Sequence, residues 1–348
     1  MDSGQMNVVT EEINENPQSG DRVKQARKTF STLGWCYVAG TVLINVLQVV
    51  AVYFLRDLKP EWQQDTVISL VISGVIVYGC GLPLIYWLVQ RVPVTPIEKK
   101  QIKWWQFPVW FVMCYAMVYL SNLVGTLITV GIGSVKGRPV DNHLLEYVTD
   151  GNMLANFILM VVVAPIVEEF IFRKLIVDRT VRYGQGVAIA VSGLMFGLFH
   201  GNLNQFAYAV VLGAFFALIY IKTGDIRITI GMHACVNFIG SIVSMTLLKM
   251  VDYQALTELS ESGGTDVLMS HVMNNLSGWI LFGIFGLFIL VMVIMGIVFM
   301  IVFHKIFYLE PVEEALPAGR KFSTAFLNSG MIVFGIVWVA TIILQLLA

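Results

Sequence analysis

The stretch "VVVAPIVEEFIFRKL", residues 161–175, sets two adjacent carboxylates, Glu168 and Glu169, and a following Arg173 inside an otherwise apolar run. The rest of the chain is as apolar. Its 348 residues are 57% hydrophobic and 13% charged, with a mean hydropathy of +0.76. Soluble domains carry roughly 45–50% apolar and about 25% charged residues. The chain is therefore read as an all-α polytopic membrane protein, with the lipid bilayer as its solvent. The formal net charge of −1 carries no information about nucleic acid, but no basic run interleaves with aromatics as a phosphate-binding face would, so no nucleic-acid partner is expected. Cys36, Cys80, Cys114 and Cys235 all fall in apolar segments and match no zinc spacing, so they read as buried free thiols.

Apolar runs of near-spanning length predict about nine transmembrane helices, over 33–55, 66–90, 106–133, 153–175, 184–200, 204–222, 228–249, 276–304 and 326–347. The implied organisation is a tail over 1–32, helices 1–3 over 33–152, a core of helices 4–7 over 153–249, an acidic loop over 250–275, and helices 8–9 over 276–348. With the N-terminus in the cytoplasm, inner segments hold Arg22, Lys24, Arg27, Lys28, Arg91, Lys99, Lys100, Lys103, Arg173, Lys174, Arg179, Arg182, Lys222, Arg227, Lys305, Arg320 and Lys321. The outer segments hold Arg56, Lys59, Lys136, Arg138 and Lys249. Placing 17 of the 22 basic residues inside supports both the helix count and the orientation.

Ionisable groups at membrane depth are costly and point to function. Glu169 and Arg173 stand at i and i+4, the acid N-terminal, which is the favourable order for an intrahelical ion pair. Glu168 has no such partner and reads as a carboxylate tuned for proton transfer; the alternative is that both acids sit solvated at the cytoplasmic rim. His200 closes "SGLMFGLFH" at a helix end, where it could also be interfacial. His233 and Asn237, in "HACVN", share a helix face, an arrangement that also serves plain helix–helix contacts. His143, His271 and His304 read as structural or solvated. Together the first set holds a base, a base/acid partner and two oxyanion donors, the inventory for adding water to an amide. No Gly-x-Ser-x-Gly elbow, His-Glu-x-x-His helix or intramembrane aspartate pair is present.

Three of these stretches resemble the motifs of the CPBP intramembrane protease family, the CAAX-prenyl endopeptidase/Abi group: Glu-Glu-x-x-x-Arg as "EEFIFR" (168–173), Phe-x-x-x-His as "FGLFH" (196–200), and His-x-x-x-Asn as "HACVN" (233–237). The stretch from "GAFFALIYIKTG" into the His233 helix is similar too. The resemblance covers about 150–245. It implies an intramembrane endopeptidase, acting on a peptide or membrane-protein substrate in maturation or regulation. Glu168 would activate water together with His200. His233 and Asn237 would polarise the scissile carbonyl and stabilise the oxyanion, and Glu169 and Arg173 would support the site. A metal-free mechanism is favoured; were zinc present, Glu168, His200 and His233 would be its ligands. A bacterial plasma membrane is the expected location, and the oligomeric state is left open. The alternatives are a non-catalytic immunity or scaffold protein using the same pocket, and a transporter. The clustering of polar groups at one place, with no repeat, disfavours the transporter.

Depth is the difficulty. With Arg173 and Lys174 as the inner rim, Glu168 lies ~8 Å deep and His233 ~9 Å, whereas His200 lies ~24 Å from Gly184 at 1.5 Å per residue. The fifth helix should then start outside the bilayer core, tilt strongly, or end in an "HGNLNQ" segment that dips inward. The shallow depths also predict a cavity open to the cytoplasm. Pro165 should loosen the fourth helix just before Glu168.

Overall fold

The structure, a computed structural model, describes residues 17–58, 65–138, 140, 152–262 and 264–347. Twelve helices organise it: α1 (Gly20–Arg56), α2 (Val67–Val89), α3 (Gln106–Lys136), α4 (Met153–Tyr183), α5 (Gln185–Phe199), α6 (Leu203–Thr223), α7 (Ile226–Met250), α8 (Tyr253–Ser262), α9 (Thr265–Asn274), α10 (Leu276–Val302), α11 (Lys321–Phe326) and α12 (Ser329–Leu347). Among the described residues eight helices, α1–α4, α6, α7, α10 and α12, are long and apolar enough to cross a membrane. The ninth, α5, is apolar but has only 15 residues, about 22 Å at 1.5 Å per residue and short of a bilayer core.

Three boundaries differ from expectation, each for a physical reason. The 1–32 tail is not a tail over its described part, since the first helix already runs from Pro17 to Leu58. Ala26 and Phe30 are wholly buried on it. Its basic residues do not end the helix because two of them find carbonyl partners: Arg22 donates to Glu313 O and Arg27 to Leu327 O. Helix α4 does not stop at 175 but continues to Tyr183. Its cations are neutralised inside the protein rather than at a rim; Arg179, for instance, donates to the carbonyls of Val89, Val92 and Leu175. The 250–275 loop contains α8 and α9. Of the four cysteines, Cys36 and Cys114 are buried, whereas Cys80 is half-buried and Cys235 is exposed.

The basic segments gather on one face. Lys222 bonds Tyr308 O and lies near Glu310, Arg182 holds Glu314 through two hydrogen bonds of 2.7 Å, and Leu316 N–H donates to Tyr183 O. The 304–328 segment is thereby strapped across the α4–α5 turn. The 92–105 segment covers the α6–α7 turn: Lys100 N–H donates to Thr223 O at 2.8 Å. Gly224 adopts φ +63° there, with the Glu98 backbone standing where a side chain would be. Asp225 caps α7 by accepting from Arg227 N. The Arg227 guanidinium bonded to it, with Lys99 at 3.9 Å, holds its carboxyl down to about 2. At the opposite face Lys136 and Arg138, at the end of α3, grip the last carbonyls of α12.

Helices α5 and α6 form the tightest crossing that bears on the site. Gly193 and Gly197 lie one turn apart on α5, and at both the backbone of α6 stands at about 3 Å from where a Cβ would sit: Val210 O at 2.9 Å for Gly193, Phe206 O at 3.1 Å for Gly197. Small residues spaced this way let membrane helices approach closely. Gly197→Val should force α5 off α6 and lower stability by about 1–3 kcal/mol, read as a lower thermal midpoint of the detergent-purified protein. Gly283→Ala, with open space around it, should leave the midpoint unchanged.

Candidate active site

The α4–α5 pair turns at Gly184, which takes φ +129°. Glu168 lies 16 residues before that glycine and His200 16 residues after it. On antiparallel helices, equal distances from the turn mean equal depth. The expected mismatch thus disappears: Lys174 bonds Tyr220 Oη close to the basic end of α6, and Arg179 bonds the carbonyls of Val89 and Val92 at the end of α2, so the α4–α5 turn lies beyond those helix ends and α5 starts outside the span, one of the devices anticipated. His200, Asn202, Asn204 and Gln205 line one cavity with Glu168.

Glu169 and Arg173 form the predicted ion pair, at 3.0 Å, with both side chains fully buried. The solvated-rim alternative therefore does not apply to Glu169. Arg173 lies over the Phe196 ring at 4.6 Å and near the Phe216 ring at 5.7 Å, and donates to Ser192 Oγ. Glu169 has a second task. Its Oε1 also faces His233 Nδ1 at 3.0 Å. A carboxylate held by an arginine only accepts, so Nδ1 carries the proton and Nε2 is turned towards Glu168 Oε2, 3.8 Å away. His200 is held the same way: Nδ1 lies 2.8 Å from Phe196 O, which only accepts, leaving Nε2 free. The Phe196 ring stands against both imidazoles, at centroid distances of 4.8 Å from His200 and 5.8 Å from His233. The phenylalanine of "FGLFH" is the spacer between two histidines from different helices.

Asn237 is positioned by a backbone irregularity. Helix α4 widens into π-helical turns over Phe157–Val163, where Ala164 N–H reaches back to Leu159 O. In that register Met160 O would pair with residue 165, which is proline and has no N–H. Asn237 Nδ2 supplies the missing donor at 2.8 Å. One of its two amide hydrogens is thus spent on structure, and the other remains. The turns of α2 around Tyr78, of α4 after Glu169, and of α7 after Asn237 are widened in the same way, a feature that frequently accompanies functional sites.

Glu168, His200, His233 and Asn237 share a cavity of about 650 Å³. Glu168 keeps 20% of its side chain exposed, against none for Glu169. The sequence reading missed other members of the lining. Tyr78 Oη donates to Glu168 Oε1 at 3.5 Å, and Gln205 Nε2 donates to Tyr208 Oη at 2.8 Å. Tyr119 and Asn122 come from α3, and Phe285 and Gln345 from α10 and α12. Tyr78 sits in a uniformly apolar helix and no local pattern marks it. His271 bonds Val251 O and His304 bonds Ile301 O, and neither lines the cavity. His143 lies outside the described residues.

The cavity begins near the expected level, since Tyr115 and His233 lie nine and seven residues from the basic-side ends of α3 and α7, and its lining continues to Leu70, Ser244 and Gln345 near the remote helix ends. Behind Glu168 stand Glu169, Arg173, Phe172, Phe196 and Phe216, none more than 1% exposed. Among the described residues no three His, Cys, Asp or Glu side chains are arranged to hold a metal ion, so Glu168, His200 and His233 do not form a zinc site in this geometry.

Residues 150–239 match the family model described as type II CAAX prenyl endopeptidase Rce1-like. The chain is also similar to the membrane-embedded CAAX protease MroQ of Staphylococcus aureus (strain USA300), with 25% identity over 170 residues, 47% of this chain and 67% of that protein. No solved structure gives a significant match.

Arg173→Met should strand a buried carboxylate and cost about 3–5 kcal/mol. Adding Glu169→Gln should recover part of that loss. A double-mutant cycle on thermal unfolding measures it, and additive losses would contradict the pairing.

Proposed function

We propose that this chain is an endopeptidase of the CPBP intramembrane protease family in which Glu168 and His200 activate water against a peptide bond, a reading supported by the family match over residues 150–239. The observation that carries the reading is the hydrogen-bonding state of the two histidines. Both have Nδ1 tied to an acceptor, Phe196 O for His200 and Glu169 for His233, and both line the cavity that holds the partly buried Glu168. His200 Nε2 then carries a lone pair, and beside a carboxylate it can take a proton from water as the oxygen attacks the carbonyl carbon. That proton goes to the departing amine nitrogen when the C–N bond breaks. The second N–H of Asn237 and His233 Nε2 face the developing oxyanion. His233 donates there only with both ring nitrogens protonated, a state whose charge faces the Glu168 and Glu169 carboxylates.

Glu169, Arg173, Phe196 and Tyr78 position these groups. Glu169 does for His233 what a carboxylate does for an imidazole in hydrolytic triads: it selects the tautomer and fixes the ring. The substrate is a peptide or membrane protein, and the role one of maturation or regulation. The membrane is a bacterial plasma membrane with the basic face, and so the N-terminal end, in the cytoplasm. That side carries Arg22, Arg182, Lys222 and the 304–328 strap.

Glu168→Gln or His200→Ala should lower cleavage at least about 100-fold while leaving the thermal midpoint close to wild type, because neither side chain belongs to the buried pair. Comparative proteomics of membrane and medium from wild-type and Glu168→Gln cells finds the substrate; an identical peptide pattern in the two would overturn the proposal. Chelator-washed protein should keep its activity, and a loss restored by added zinc would overturn the metal-free mechanism.

A further inference from the structure

A chain of amides at the start of α6 ends on a free hydroxyl in the cavity. The backbone N–H of Gln205 donates to Asn202 Oδ1 at 2.8 Å, and only the oxygen of that amide can accept it. Asn202 Nδ2 is therefore the donating end, and it bonds His200 O at 3.0 Å and Gln205 Oε1 at 2.6 Å. That contact orients Gln205 in turn, so its Nε2 faces Tyr208 Oη at 2.8 Å. An amide nitrogen only donates, so the phenolic oxygen accepts and its own hydrogen points elsewhere. No acceptor among the described residues takes that hydrogen. One backbone N–H thus sets the direction of every bond from His200 to Tyr208.

Other donors in the lining are spent on the protein itself. Tyr78 Oη donates to Glu168, Ser241 Oγ to Asn237 O and Ser244 Oγ to Ile239 O. Tyr115 and Tyr119 line the cavity too, but among the described residues no hydrogen bond orients either hydroxyl. Tyr208 is both oriented and unspent, and it shares the cavity with Glu168 and His200. It lies between Phe206 and Val210, whose backbones meet Gly197 of α5, so it stands within about one turn of the level of His200. A peptide bond within reach of Glu168 has left helical structure, and each carbonyl it brings into the cavity loses water. An O–H oriented beforehand offsets that loss at little entropic cost. We infer that Tyr208 is a substrate-binding residue, its hydroxyl donating to one backbone carbonyl of the bound peptide, with Asn202 and Gln205 as its positioning residues. That the guest is a peptide rests on the endopeptidase reading.

A binding cycle between protein and peptide tests this. The probe is a fluorescein-labelled peptide spanning a cut that wild-type cells make and Glu168→Gln cells do not. Its affinity is measured by fluorescence polarisation on detergent-purified full-length Glu168→Gln protein, with and without Tyr208→Phe. A hydrogen bond of ordinary strength predicts a Kd raised about 3- to 10-fold by Tyr208→Phe, with a thermal midpoint close to that of the parent. Peptides with a single backbone carbonyl replaced by a thiocarbonyl, a weaker acceptor, are then compared. At one position the replacement should weaken binding to the parent and leave binding to Tyr208→Phe unchanged. Gln205→Met, which keeps the hydroxyl but frees it to turn, should raise Kd less, and adding it to Tyr208→Phe should cost nothing further. An unchanged Kd in Tyr208→Phe, replacements that weaken both proteins alike at every position, or additive losses in the double variant would overturn the inference. Should Tyr208→Phe fail to fold, an unchanged Kd in Gln205→Met overturns it. Wild-type protein that binds the probe without cleaving it sinks the endopeptidase reading alone; identical peptide patterns from the two cell types sink both.

Discussion

A buried ion pair in the middle of a membrane protein sets the terms for everything around it. Removing a carboxylate and a guanidinium from water is costly, and the mutual attraction offsets that cost only where geometry is good and the remaining donors and acceptors are engaged. Glu169 and Arg173, 3.0 Å apart and wholly inside, meet part of that condition with groups from other helices, while Glu169 Oε2 and Arg173 Nε have no hydrogen-bond partner among the described residues. Phe196 of α5 and Phe216 of α6 sandwich the guanidinium, Ser192 accepts from it, and His233 of α7 donates to the carboxylate. Four helices are fixed around one charge pair.

Tying polar groups down leaves very few free to react. Both histidines have Nδ1 committed, and Asn237 spends one hydrogen on the carbonyl that Pro165 leaves orphaned. What remains facing the cavity is two imidazole Nε2 atoms, one amide N–H and the Glu168 carboxylate, with Tyr78 at its edge. Preorganisation of this kind is inexpensive to use at the moment of reaction, because the groups are oriented before any guest arrives. The shortness of α5 belongs to the same design. Sixteen residues from the Gly184 turn bring His200 level with Glu168, and ending the helix there lets the next residues, Asn202 and Gln205, join the wall.

Much of this was legible from the residues alone. Composition named the solvent, and apolar run lengths placed most helix ends within three residues, because a bilayer imposes one length on every span. The Glu169–Arg173 pairing followed from spacing on one helix. One rule of thumb failed. Basic residues were taken to end the first helix, which put Arg22 to Lys28 in a free tail. Carbonyls far along the chain accept from Arg22 and Arg27, and no local pattern records such partners.

Local sequence determined that this is a helical membrane protein, which helices carry acids and histidines, and which acid has an intrahelical partner. These depend on hydropathy and on the fixed geometry of one helix. Only the tertiary structure decided that Glu169 orients His233, that Phe196 separates two histidines, and that Tyr78 meets Glu168. Those facts depend on how each helix is rotated and how far it slides against its neighbours. Side-chain packing across helices sets that rotation and that slide, and no single helix contains the information.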